Sequence, residues 1–144
     1  MDLSTCLKEL LANEVTMYLK AHGAHWNVEG ILFSQYHDFF EAIYTDVYSS
    51  IDPTAENIRK LGDFAPFTLP ELNKLRKVED QKTKPTAIEL VKDLHEANET
   101  LIDCIDTCSE AATEEGEWGI ANFLADRDNM HKKWRWQLEA SMKG

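Results

Sequence analysis

Residues 25–62 read HWNVEGILFSQYHDFFEAIYTDVYSSIDPTAENIRKLG, and this stretch combines two imidazoles with a set of downstream carboxylates. The side chains that together offer a complete set of metal ligands are His25, His37, Glu41, Asp52 and Glu56. Histidine and carboxylate ligands together suit iron, manganese or zinc, which accept both nitrogen and oxygen donors. The stretch therefore predicts a metal centre.

The spacing of four of these donors divides them into two pairs. His37 and Glu41 are four residues apart, as are Asp52 and Glu56, so each pair shares one face of a helix. The second pair is offset from the first by fifteen positions, which is about 22 Å along a helix. If both pairs bind one centre, the second pair comes from a neighbouring subunit related by a two-fold axis, and the site forms twice. The spacing itself predicts a dimer.

The same stretch resembles the Dps family, the ferritin-like mini-ferritins named as DNA-binding proteins from starved cells. The resemblance lies in His25-Trp26-Asn27-Val28-x-Gly30, Phe33, His37, Phe40-Glu41, Tyr44, Asp52, Ala55-Glu56 and Ile58-Arg59-x-Leu61-Gly62. It is strong over residues 20–62 and looser over the rest of the chain. The family often has Asp where this chain has Glu41, a change that keeps the type of donor.

The resemblance implies a ferroxidase centre, with one or two iron ions, between two-fold related subunits. His25, His37 and Glu41 match the ligands of one subunit, and Asp52 and Glu56 match those of the other. The resemblance also implies that hydrogen peroxide oxidises Fe(II), with dioxygen as a slower oxidant, and that the ferric mineral is stored in a dodecamer. Consuming Fe(II) and peroxide in this way protects against oxidative damage. Zinc is a possible substitute for iron.

Trp26 lies next to His25 and joins the predicted catalytic residues. It either accepts a stray oxidising equivalent or packs at an interface, and the sequence leaves both roles open. An iron site inside a single bundle is disfavoured, because such sites use Glu-x-x-His pairs on two helices and the chain has no Glu-x-x-His.

Helical periodicity over nearly the whole chain predicts an all-α protein. The expected fold is one ferritin-like domain over residues 1–144, a four-helix bundle with a short extra helix in the connection between helices 2 and 3. The first long helix carries an apolar stripe from Leu3 to Ala21, and Gly30 is expected to end it. The second is expected from near Ser34 to Lys60, with a kink at Pro53.

The second half of the chain gives more local signals. Pro70 to Arg76 is compatible with the short helix, and Thr86-x-x-Glu89 predicts a capping box at the start of the third long helix. Gly116 and Gly119 are expected to mark the turn into the last helix. Phe33 in helix 2 and Ile88 in helix 3 are expected on the buried side.

Two further histidines and the three cysteines are not assigned to the metal centre. His95 is taken as structural or solvated, without a partner at ligand spacing, and His131 as a satisfied core or interface histidine. The cysteines, Cys6, Cys104 and Cys108, form no Cys-x-x-Cys pair, which excludes a zinc knuckle and favours a reducing cytoplasm. Cys104 and Cys108 are interpreted as small core residues.

Charge and hydropathy exclude other classes of protein. Fifteen basic and twenty-six acidic residues give a net charge of −11, which opposes a surface for DNA and suits cations. The alternative function is a DNA-binding protein of the nucleoid with little ferroxidase activity, but DNA binding through lysine-rich tails is not expected, because both ends look short. No apolar run has the ~20 residues of a membrane span, so a cytoplasmic protein without membrane contact is expected.

Overall fold

The computed structural model describes residues 1–80 and 85–143, which contain five helices and no strand. The helices are α1 (Leu3–Asn27), α2 (Phe33–Lys60), α3 (Leu69–Leu75), α4 (Ala87–Glu114) and α5 (Trp118–Ser141). The all-α class and the short helix between the second and third long helices are thus confirmed. In the described part of the chain, no helix is long and apolar enough to cross a membrane.

Three helices begin at side-chain caps that the sequence supplies. Asp2 Oδ1 accepts a hydrogen bond from the Thr5 backbone N–H at 2.8 Å and so caps α1. Thr68 caps α3. The predicted capping box of α4 is present, because the Thr86 hydroxyl accepts from the Glu89 N–H while the Glu89 carboxylate accepts from the Thr86 N–H.

One continuous apolar core holds the four long helices together. Helix α1 packs against both α2 and α4, and α4 packs against α5. The largest fully buried side chains come from all four long helices and include Leu7, Met17, Phe40, Ile43, Leu101 and Leu124. The three cysteines are free and buried, as expected for core residues. The short helix α3 buries no residue and lies in the long connection between α2 and α4, of which residues 81–84 are not described.

Two glycines do not lie where the sequence predicts. Helix α1 already ends at Asn27, and the next residue, Val28, is extended; Gly30 has a φ of 123° in the loop beyond it. Gly119 lies inside α5, so the turn between α4 and α5 needs only Gly116, whose φ is 70°. A glycine marks a break in a helix only where the backbone turns left-handed, and sequence does not show which glycine does so.

Two predicted core residues are instead exposed. The exposed fraction is 41% for Phe33 and 40% for Ile88, because both lie in the first turn of a helix, at the rim of the bundle. Pro53 does not end its helix, since α2 continues through it to Lys60. The kink expected at Pro53 stays a prediction.

Candidate metal centre

The end of α1 and the start of α2 bring His25, His37 and Glu41 to one place. A short connection of five residues, 28–32, joins the two helices, so that His25 faces the first turns of α2. The two imidazole rings stack with centroids 3.6 Å apart and planes inclined by 17°. Glu41 Oε1 lies 3.9 Å from His25 Nε2. Two imidazoles and a carboxylate from one chain therefore share a small region.

Backbone carbonyl groups hold both imidazoles in a fixed orientation. His25 Nδ1–H donates to the carbonyl oxygen of His37 at 2.8 Å, and His37 Nδ1–H donates to the carbonyl oxygen of His25 at 2.7 Å. A carbonyl oxygen only accepts, so the proton of each neutral ring is on Nδ1 and the lone pair is on Nε2. This is the arrangement that metal-binding histidines use, with one nitrogen anchored and the other available.

The three carboxylates lie on the exposed side of α2. The side chain of Glu41 is 55% exposed, and Asp52 and Glu56 are exposed further along the same helix. Asp52 lies about 16 Å from Glu41 along the helix axis, at 1.5 Å per residue. One copy of the chain does not bring Asp52 and Glu56 to the histidines. The structure thus brings three of the five predicted donors to one junction, although their ligand atoms do not all lie within 4.8 Å of one another. The other two donors are exposed further along α2.

Aromatic rings surround the histidine pair, and the sequence interpretation missed most of them. His22 stacks on Tyr44 with centroids 4.0 Å apart and lies 4.4 Å from Trp26. The Tyr18 hydroxyl lies 2.8 Å from His22 Nδ1. Trp26 is 58% exposed, so in one copy of the chain much of its surface is uncovered. The signal was present, because Tyr18, His22 and Trp26 follow one another at four-residue steps on one face of α1.

Polar side chains also meet inside the bundle, where most of their polar atoms pair with one another and Arg127 Nε has no partner. Asp46 accepts two hydrogen bonds from Arg127, at 2.9 and 3.0 Å, and a third from Trp134 Nε1. Burial raises the pKa of Asp46, but the hydrogen bonds and charge of Arg127 outweigh it, so the pKa is lowered overall. The guanidinium of Arg127 already supplies the positive charge that balances Asp46, so this interior network has no need of a metal ion.

His131 is part of this interior network, as the sequence interpretation expected. Its Nδ1 lies 2.8 Å from Asn98 Oδ1, and its Nε2 lies 3.1 Å from Arg127 Nη2. Burial, with the charge of Arg127, lowers the pKa of His131 to about 3. A fully buried, neutral histidine with both nitrogens engaged is a structural residue.

His95 contacts two carboxylates that the sequence interpretation did not assign to it. Its Nε2 lies 3.0 Å from Glu139 Oε2 and 3.7 Å from Glu99 Oε1. Glu99 is four residues further along α4, so His95 does have a partner at ligand spacing, which the sequence interpretation overlooked. The i, i+4 spacing of His95 and Glu99 can be recognised in the sequence. The contact of His95 with Glu139 on α5 can be recognised only in the folded structure.

Comparison with known proteins decides the family. A family model described as a ferritin-like domain matches residues 5–143. The chain is 32% identical over 137 residues to the DNA protection during starvation protein of Helicobacter pylori, covering 94% of this chain and 95% of that one. This chain belongs to the Dps family. The expected resemblance is thereby confirmed, and so is the ferritin-like fold.

Solved structures of other Dps proteins share this fold over almost their whole length. The Dps protein of Thermosynechococcus elongatus matches with a TM-score of 0.95 at 28% identity, covering 99% of this chain and 90% of that one. The Dps protein of Vibrio cholerae matches with a TM-score of 0.93 at 28% identity, covering 98% and 89%. The latter is described as a member of a broad superfamily of ferritin-like diiron-carboxylate proteins.

Proposed function

We propose that this Dps protein oxidises Fe(II) with hydrogen peroxide at centres shared between two subunits, and that it stores the ferric product inside a dodecamer. The observation that carries the proposal is the reciprocal pair of hydrogen bonds between the Nδ1 atoms and backbone carbonyls of His25 and His37. These bonds leave the Nε2 lone pair of each ring available, and the exposed Glu41 lies 3.9 Å from Nε2 of His25. One copy of the chain therefore supplies oriented histidine ligands but only part of the ligand set, and we infer that a second copy supplies the remaining donors.

In this proposal a two-fold axis brings Asp52 and Glu56 of a second copy opposite the histidines of the first. All three carboxylates are exposed in one copy, so they are available for such a contact. A two-fold contact is self-complementary, and it completes two equivalent centres at once. Exposed apolar side chains near the junction of α1 and α2 supply area for the interface. They are Trp26, Ile31, Leu32 and Phe33.

The donor set suits Fe(II) as a substrate that must also be oxidised. The neutral imidazoles of His25 and His37 hold the reduced ion, while the anionic Glu41, Asp52 and Glu56 favour the more highly charged ferric ion. Two Fe(II) ions together supply the two electrons that reduce one hydrogen peroxide to water, taking up two protons. Paired delivery of electrons avoids the one-electron reduction that releases hydroxyl radical, which accounts for protection against oxidative damage. Dioxygen is the slower oxidant in this scheme, and zinc is a non-oxidisable substitute for iron.

In this proposal Trp26 catches an oxidising equivalent that escapes. It contacts His22, which in turn lies 6.0 Å from His25 between ring centroids. If only one electron is delivered to peroxide, an indole ring at this position can supply the second, which another biomolecule would otherwise lose. The same ring packs at the proposed interface, so both roles are compatible with its position.

The test is an anaerobic titration of the assembled protein with Fe(II), followed by hydrogen peroxide and measurement of ferric absorbance. His37→Ala removes one ligand and one of the two carbonyl bonds, so the rate of oxidation should fall by at least roughly tenfold. Glu110→Gln, a change at an exposed carboxylate of α4, serves as the control and should oxidise iron like the wild type. An unchanged rate in His37→Ala would remove His37 from the centre and refute this ligand set.

A further inference from the structure

A second group of metal-binding side chains lies on the other side of the bundle, between α4 and α5. In the described residues, His95, Glu99 and Glu139 each offer a ligand atom, and these atoms all lie within 4.8 Å of one another. His95 and Glu99 are one turn apart on α4, and Glu139 reaches them from α5. The proposed iron centre uses α1 and α2, so the two groups of residues have no member in common.

The two distances from His95 to its carboxylate partners are close to those between ligands of one small divalent ion. Two donors that each bind a tetrahedral zinc ion at ~2.1 Å are ~3.4 Å apart. His95 Nε2 lies 3.0 Å from Glu139 Oε2 and 3.7 Å from Glu99 Oε1, which brackets that value. Shifts of a few tenths of an ångström in these side chains, of which His95 and Glu99 are partly buried and Glu139 is exposed, therefore suffice to admit an ion in place of the proton between His95 and Glu139.

Arg135 fixes Glu99 in the orientation that such a site needs. Its Nε donates to Glu99 Oε1 at 2.7 Å and its Nη2 donates to Glu99 Oε2 at 2.8 Å. This contact lowers the pKa of Glu99, so the carboxylate is ionised at neutral pH. Each carboxylate oxygen keeps a further lone pair when it accepts a forked arginine. A ligand anchored by an outer partner is the usual arrangement at metal sites.

The charges of the group also favour a cation. The two carboxylates outweigh the guanidinium of Arg135 by one negative charge before an ion binds. The whole chain carries −11, so the surrounding field attracts cations as well. The combination of one imidazole and two carboxylates selects a borderline ion of the zinc, iron or manganese class over the harder Mg²⁺ and Ca²⁺.

We propose that His95, Glu99 and Glu139 form a second divalent-metal site, which binds a zinc-class ion with a water molecule in the fourth position. The site belongs to a single chain and forms without a second copy. It is independent of the proposed ferroxidase centre, because it shares no ligand with it. A zinc-class ion here joins α4 to α5 at the surface of the bundle.

The test is titration of the metal-free, assembled protein with ZnCl₂ by isothermal calorimetry. His95→Gln and Glu139→Gln each remove one ligand, and each should lose one zinc ion per chain or bind it at least roughly tenfold more weakly. Glu96→Gln is the matched control, since it removes the same charge next to His95 on α4 without touching the group. Any zinc bound at the proposed iron centre is common to all these proteins and cancels in the comparison.

Cobalt gives a direct view of the coordination. Co²⁺ bound by an imidazole, two carboxylates and water in a tetrahedron has strong visible ligand-field bands. His95→Gln should lose the absorbance that comes from this site, and Glu96→Gln should keep it. Circular dichroism confirms that all variants are folded. Equal zinc stoichiometry and affinity in the wild type and both ligand variants would overturn the proposal, whatever the outcome of the iron assay.

Discussion

Glu14 carries a carboxyl group in the middle of the helix bundle, where water does not reach it. Its Oε2 accepts hydrogen bonds from the hydroxyl groups of Ser50 at 2.8 Å and Thr54 at 3.1 Å, and its Oε1 has no partner. Burial raises the pKa of Glu14 to about 8, and the hydrogen bonds from the two hydroxyl groups only partly oppose that rise. At neutral pH this carboxyl group is therefore mostly protonated.

The raised pKa makes folding stability depend on pH in a definite direction. Between about 4.5 and 8 the folded state holds a proton on Glu14 that the unfolded state releases, so the free energy of unfolding falls as pH rises through this window. Glu14→Gln keeps an acceptor for both hydroxyl groups and cannot ionise. Its stability relative to the wild type should therefore increase from pH 5 to pH 8.5, by up to several kcal/mol.

Urea denaturation of both proteins across this pH range measures that difference. The exposed variant Glu110→Gln is the control, and its stability relative to the wild type should be nearly constant with pH. A difference between Glu14→Gln and the wild type that is equally constant would show that Glu14 is already ionised in the folded protein.

The sequence predicted residues well where their chemistry is local. The i, i+4 spacing of His37 and Glu41 indicated a shared face, and the fold places both beside His25. Glu14 was missed because its place within the apolar stripe of α1 gave no sign of which side chains of α2 would cover it. The contact between His95 and Glu139 was missed for the same reason, since 44 residues separate the partners.

At the scale of the helices, the junction between α1 and α2 determines the geometry of the candidate centre. Each histidine donates to the backbone of the other helix, so the two hydrogen bonds fasten the end of α1 to the first turns of α2. A change that lengthens the connection at residues 28–32 would move both rings together. The centre thus depends on the packing of two helices as much as on its ligands.

The capping box of α4 offers a test of how local signals stabilise this fold. Thr86→Ala removes the acceptor for the Glu89 N–H and should lower the free energy of unfolding by about 1 kcal/mol. Thr107→Ala makes the same change in the interior of α4, where the exposed hydroxyl only donates to the Asp103 carbonyl at 3.2 Å. Denaturant unfolding should show little loss, or a small gain, for Thr107→Ala; an equal loss in both variants would show that the cap contributes nothing specific.

The boundaries of the helices were predictable to the extent that caps and prolines are local. Thr86 and Glu89 marked the start of α4 correctly, and Pro70 lies at the start of α3. Gly30 and Gly119 were misjudged, because packing rather than composition decides where a long helix ends. The exposure of Phe33 could likewise not be predicted from the sequence. The apolar periodicity of α2 continues past the point where the neighbouring helix stops covering α2.

At the scale of the whole molecule, a net charge of −11 bears on the alternative function. An acidic surface repels the phosphate backbone, so we expect no retention of DNA in a gel-shift assay at physiological salt. The relevant sample is the assembled protein, at concentrations well above those that saturate typical DNA-binding proteins. Retention that weakens steeply as salt is added would favour a role at the nucleoid.

A metal centre shared between two chains also has a consequence for mixtures of variants. In the proposed centre, His37 comes from one chain and Glu56 from the other. A dimer that pairs a His37→Ala chain with a Glu56→Gln chain therefore has one intact centre and one that lacks both ligands. Each variant alone has no intact centre.

The most direct test is to dissociate these two inactive variants, mix them in equal amounts, reassemble them and measure Fe(II) oxidation by peroxide. Random pairing makes half of the dimers mixed, so about a quarter of the wild-type activity should return. The control is each variant dissociated and reassembled alone. Activity in the mixture no higher than in these controls, with assemblies of the same size, would contradict a centre shared across the two-fold axis.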